Sequence, residues 1–131
     1  MNMKKVLFVC IHNTARSVIA ETLFNSLAEA WRAESAGIEK AEKVDEKVAE
    51  LLREKGLVAK EKPRTLDEIS LDEFDLIVAV CEEGSCIVVP GREIERWYIE
   101  NPAGKDDETY RRVFAEIEEM VRQLVERLEG N

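Results

Sequence analysis

The chain has 131 residues, enough for one domain with a proper core. Its 28 acidic against 19 basic side chains give a net charge of −9, which argues against a nucleic-acid-binding surface, since that needs a clustered basic face. No run of about 20 apolar residues is present to span a membrane.

Val6 to Val9 is a continuous apolar run, the pattern of a strand covered on both faces. It is too short for a signal peptide and leads directly into Cys10 and His12. Three cysteines are an odd and small number, unlike a secreted disulfide framework. The chain therefore reads as cytoplasmic, where such thiols are either inert core residues or chemistry. From Arg16 to Ala30, the residues Val18, Ile19, Leu23, Leu27 and Ala30 are spaced for one helix face. Trp31 to Ser35 reads as a short second strand closed by Gly37. Val44 to Lys55 reads as a helix, ended by Gly56.

Pro63 to Ser70 has loop composition, and Leu71 to Phe74 suits one helical turn. Phe74 to Val80, "FDLIVAV", is a second buried strand, and it too ends in a cysteine, Cys81. A loop to Gly91 carries Cys86. Glu93 to Tyr98 suits a short edge strand, and Asn101 to Gly104 a turn. Thr109 to Leu128 is a long amphipathic helix with Val113, Ile117, Val121 and Leu124 in its stripe. No repeat or linker divides the sequence, so a single domain over residues 1–131 is expected. Strands alternating with helices place it in the α/β class with a parallel sheet. Ligands in such folds bind beyond the carboxyl ends of the strands, where Cys10 and Cys81 both stand.

The segment after Cys10 suits an anion. Ile11, His12, Asn13, Thr14 and Ala15 can curl with their N–H groups inward, and the helix beginning at Arg16 adds free N–H groups and partial positive charge. Together they make a cradle for a tetrahedral oxyanion. The planar fork of Arg16 can take two of its oxygens. The same donors favour the thiolate of Cys10, which is the nucleophilic form. Ser17 can hydrogen-bond the sulfur, and Asn13 tolerates positive φ. His12 reads as outward-facing. The bland reading, a buried strand-end cysteine beside a surface arginine, leaves Asn13, Ser17 and both flanking elements without a role.

The stretch Val9 to Glu21, "VCIHNTARSVIAE", resembles the signature of the low molecular weight protein tyrosine phosphatases and of the arsenate reductases built on the same fold. The resemblance continues through "SAGIE" (Ser35 to Glu39), "FDLIVAVC" (Phe74 to Cys81) and "NPAG" (Asn101 to Gly104). It implies a four-stranded parallel sheet of order 2-1-3-4 with helices on both faces. The reductase branch implies reduction of arsenate to arsenite. Cys10 attacks arsenate, Cys81 attacks Cys10, and Cys86 attacks Cys81, leaving a Cys81–Cys86 disulfide for a thioredoxin-like reductant. The implied ligands are arsenate or phosphate. The resemblance implies no tightly bound cofactor other than a potassium ion beneath the loop, held by Asn13, Glu21, Ser35 and Asp67.

The phosphatase branch implies ester hydrolysis by Cys10 and Arg16, with no use for Cys81 and Cys86. The family places an aspartate general acid before the proline of the turn. Here the position is Asn101, whose amide can hydrogen-bond an oxyanion but cannot act as an acid. A third reading is a non-catalytic oxyanion binder or redox sensor. Two further departures bear on the choice. The Cys81-to-Cys86 interval is shorter than in the well-known reductases. Ala103 and Gly104 follow the proline where phosphatases often carry tyrosines for aryl substrates, which favours a small inorganic substrate. Trp31 and Trp97 read as core packing.

Overall fold

The computed structural model describes residues 3–89 and 91–130. Four strands, Lys4–Cys10 (β1), Trp31–Gly37 (β2), Leu76–Cys81 (β3) and Glu95–Tyr98 (β4), form one sheet. Every pairing is parallel, in the order β2-β1-β3-β4. Three α-helices connect or flank them: Arg16–Leu27 (α1), Glu46–Glu54 (α2) and Asp107–Glu129 (α3).

The strands alternate between two cores because successive side chains point to opposite faces. Val6 and Phe8 of β1 join Val78 and Val80 of β3 in the larger one. All three helices deliver their stripes there, including Val18 and Leu23, Val48 and Leu52, Val113 and Ile117. Leu7, Val9, Ala36, Phe74 and Ile77 make the smaller core on the other face. Helical cover on the two faces is therefore unequal. The second face is closed by two one-turn 3-10 helices, Leu66–Glu68 and Leu71–Glu73, with Ile87 and Ile94.

Local chemistry sets the element ends. The α1 helix stops at Leu27, short of Ala30, because the Glu129 carboxylate takes the N–H groups of Glu29, Ala30 and Trp31 and turns the chain into β2. Asp45 caps α2 through the N–H of Lys47 at 2.8 Å. Asp106 caps α3 through that of Thr109 at 3.0 Å, so α3 starts before Thr109. Trp97 is buried against Phe8, with ring centroids 5.5 Å apart. Among the described residues no helix is long and apolar enough to cross a membrane.

This topology positions the chemistry. The two central strands, β1 and β3, are neighbours and end at Cys10 and Cys81. Cys10 is also paired with Gly37, the last residue of β2.

Candidate active site

The loop Ile11 to Ala15 leaves β1 with its carbonyls turned outward. The Cys10 carbonyl accepts from Ile38, that of Ile11 from Glu39, and that of Thr14 from Asp45. Among the described residues, no N–H of Ile11 to Ala15 is taken by a backbone carbonyl. Helix α1 adds to this supply, because Ala15 at its N-cap has no side chain to satisfy the first N–H groups. An uncapped helix start beside free loop N–H groups is a set of donors for an anion.

Asn13 holds the curl. It is fully buried and takes φ 56°, the only non-glycine residue with positive φ among those described. Its Oδ1 accepts from the Lys60 ammonium at 2.8 Å and the Arg64 N–H at 3.0 Å. Two donors on one side of the amide fix that atom as the oxygen. The nitrogen on the other side must then donate, and it does so to Ser17 Oγ and Ser35 Oγ, each at 2.8 Å. Ser17 Oγ in turn lies 2.7 Å from Cys10 Sγ. Since Ser17 Oγ already accepts from Asn13, its own hydrogen is free for the sulfur. Beneath the loop, Gly37 lies so close that an added Cβ would sit 2.6 Å from the His12 carbonyl carbon. No larger residue fits there without moving the loop.

Arg16 is buried, and its Nη1 donates to the Ile99 carbonyl at 2.9 Å. Burial pulls its pKa below the usual arginine value, against the opposing pull of Cys10 and Glu82. A guanidinium keeps its charge throughout. Cys10, Ile11, Arg16, Cys81, Glu82 and Asn101 line one small cleft of about 50 Å³. A larger cleft of about 970 Å³ lies at the amino-terminal ends of the strands, beside Lys5, Glu34 and Asp75, and no cysteine or serine is among its described lining residues.

Cys81 is buried at the end of β3 and is disulfide-bonded to Cys86, with the two Cα atoms 5.3 Å apart. Cys10 is the free thiol. The short interval between Cys81 and Cys86 is closed with help from Gly84, at φ 89°. Asn101 lines the same cleft, but its Oδ1 accepts from the Ala103 N–H at 3.1 Å and shapes the turn. The amide nitrogen remains as a donor. His12 is half-exposed on the outer side of the loop, 3.1 Å from Glu39.

Of the residues expected around a potassium ion, Asn13, Glu21 and Ser35 are brought together. Asp67 is exposed and bonds instead to the Thr65 hydroxyl. Four participants escaped the sequence reading: Lys60, Gly37, Glu82 and the Ile99 carbonyl. Lys60 and Ile99 meet the loop from far along the chain, and no spacing or pattern marks them.

Comparisons with known proteins agree with this geometry. The family model described as low molecular weight phosphotyrosine protein phosphatase matches residues 5–131. A crystal structure of arsenate reductase from Archaeoglobus fulgidus superposes with a TM-score of 0.89 at 70% identity, covering 92% of this chain and 98% of that one. Arsenate reductase 2 of Staphylococcus saprophyticus is 31% identical over 129 residues, covering 95% of this chain and 98% of its own. The thioredoxin-dependent arsenate reductase of Corynebacterium glutamicum is 27% identical with a TM-score of 0.75, covering 93% of this chain and 60% of that one.

Proposed function

We propose an arsenate reductase, and proceed from the family: the chain belongs to the low molecular weight phosphotyrosine protein phosphatases. The observation that carries the reading is the grouping of three sulfurs at the ends of two neighbouring strands. Cys10 lies in the anion cradle, Cys81 lines the same cleft, and Cys86 is bonded to Cys81. Ester hydrolysis has no use for the second and third.

The steps follow from this placement. Arsenate sits on the loop N–H groups and Arg16, and the Cys10 thiolate attacks arsenic. An As–S bond forms and a protonated oxygen leaves as water. Cys81, as thiolate, attacks the Cys10 sulfur. The S–As bond breaks with its electron pair on arsenic, so arsenic(V) becomes arsenic(III) and the two sulfurs are oxidised to a disulfide. Cys86 then attacks Cys81, releasing Cys10 as thiolate and leaving the Cys81–Cys86 disulfide. An external dithiol of the thioredoxin type supplies the two electrons that reopen it. The dependence named for the Corynebacterium relative supports that donor. A reducing, cytoplasmic setting suits a cycle that begins with three thiols.

The turn before α3 points the same way. Cleavage of an ester needs a proton for the leaving alkoxide, and Asn101 cannot give one. Arsenate carries its own acidic protons and loses water. The deciding experiment is a single-turnover thiol count on reduced protein mixed with arsenate and no external reductant. A fall from the three cysteine thiols of the chain to one, matched by one arsenite, is expected. Three surviving thiols and no arsenite would remove the reading in favour of phosphoester hydrolysis. A phosphate control should leave all thiols intact.

A further inference from the structure

The potassium ion suggested by family resemblance does not fit the side chains of this protein. The Lys60 side chain, 14% exposed, reaches beneath the loop. Its Nζ donates to Asn13 Oδ1 at 2.8 Å, to the Ser35 carbonyl at 2.9 Å and to Ser35 Oγ at 3.1 Å. Glu21 Oε1 lies 3.6 Å away and accepts the Ser35 hydroxyl. These are the oxygens that would coordinate the ion, and a second cation among them would meet the ammonium charge directly. The three contacts suit an ammonium, which has one hydrogen for each acceptor, where a neutral amine has two.

From this we infer that Lys60 is a built-in cation in place of a bound one, and that it is a positioning residue for Cys10. The inference rests on Cys10 being the nucleophile. The connection is continuous: Lys60 donates to the Asn13 oxygen, the Asn13 amide to Ser17, and the Ser17 hydroxyl to the Cys10 sulfur. A cation at one end polarises each bond in such a chain and strengthens the last donor, the one facing the thiolate. The same cation, together with the Arg64 N–H, pins the oxygen side of Asn13 and so tethers the positive-φ turn. The Glu21 carboxylate, 3.6 Å from Nζ, is the counterion of this cation.

Two measurements test this, and neither needs arsenate turnover, so they stand apart from the assignment of substrate. In the first, inorganic phosphate is titrated into reduced wild-type protein in KCl, NaCl and choline chloride at equal ionic strength. Affinities within about twofold of one another are expected; a potassium-specific tightening would overturn the inference. In the second, Lys60→Met keeps the length of the side chain and removes the charge. Phosphate affinity should fall about tenfold. The pH profile of Cys10 alkylation, read by peptide mass, should move to higher pH. A folded Lys60→Met protein with unchanged phosphate affinity and an unchanged profile would also overturn it. Should that variant not fold, the salt comparison on the wild type decides alone.

Discussion

The Ser17 hydroxyl oxygen stands 2.7 Å from the Cys10 sulfur, and both atoms are buried. The Ser17 hydroxyl accepts from Asn13 and keeps its own hydrogen, so it can donate to the sulfur once Cys10 is a thiolate. Bonds to a charged partner are worth about 1.5–3 kcal/mol, so Ser17→Ala should slow the first chemical step by about 10- to 100-fold. Single-turnover arsenite release measures this. A rate within twofold of the wild type would mean that Ser17 only packs the helix start.

The relay makes Cys86→Ser informative, because it stops the cycle at a defined species. With no third thiol, the reduced variant should release one arsenite and stall with Cys10 bonded to Cys81. Non-reducing peptide mapping identifies that pair. Continued turnover with thioredoxin as sole reductant would show that the donor reaches Cys81 or Cys10 directly.

Much of this site was legible in the sequence, and the boundary is physical. Strand-end cysteines, the loop after Cys10 and the helix at Arg16 are local patterns, and they are what the sequence displays. The parallel sheet followed from the alternation of strands and helices, while its order came from family resemblance. Lys60 was not visible: it lies 47 residues beyond Asn13 in a lysine-rich connection, and only folding reveals which lysine turns inward. The Ile99 carbonyl that receives Arg16 is a backbone group and has no sequence signature. The end of α1 was missed for the same reason, since its stop comes from Glu129 at the far end of the chain.

That last contact has its own consequence. The Glu129 carboxylate accepts from Glu29, Ala30 and Trp31 at 2.7–3.1 Å. Burial raises its pKa, but the three N–H bonds outweigh this and hold it below the usual 4.5. A depressed carboxyl stabilises the fold above its unfolded value, and that contribution disappears as pH falls through the folded value. Glu129→Ala should therefore cost about 1–2 kcal/mol at pH 7, discounted for partial exposure, and lower Tm by about 4–7 °C. The gap between variant and wild type should close below about pH 4. Thermal melts across pH 3 to 7 check both size and sign, and a gap independent of pH would rule out the carboxylate as the cause.

Asn101 separates the two chemistries that the family supports. Asp at this position can keep the turn bond to Ala103 through one oxygen and present an acid through the other. Asn101→Asp should raise hydrolysis of phenyl phosphate by about 10²-fold or more, since a general acid is worth that much to a poor leaving group. Single-turnover arsenate reduction should change little. If ester hydrolysis fails to rise, the acid is not the missing element and the cleft itself excludes esters. If arsenate reduction rises in parallel, departure of oxygen from arsenic also depends on an enzyme-supplied proton.

Gly37 offers a test of the loop that leaves every chemical group in place. It ends β2 directly beneath the turn from His12 to Asn13, and a Cβ there would meet the His12 carbonyl carbon at 2.6 Å and the Asn13 nitrogen at 2.8 Å. Both are backbone atoms, so no side chain can swing aside, and the loop itself must rise. Gly37→Ala should thus displace the N–H groups from a shared focus while Cys10, Arg16 and Ser17 remain. Overpacking of this kind typically costs about 1–3 kcal/mol, a modest loss of stability. The loss of phosphate affinity should be larger, more than about tenfold, because anion binding depends on several donors converging on one point. Calorimetric titration of phosphate, set beside a thermal melt of the same sample, separates the two effects. Affinity falling no further than stability predicts would mean that the loop has slack, and that its geometry is set by Asn13 rather than by the close approach of β2.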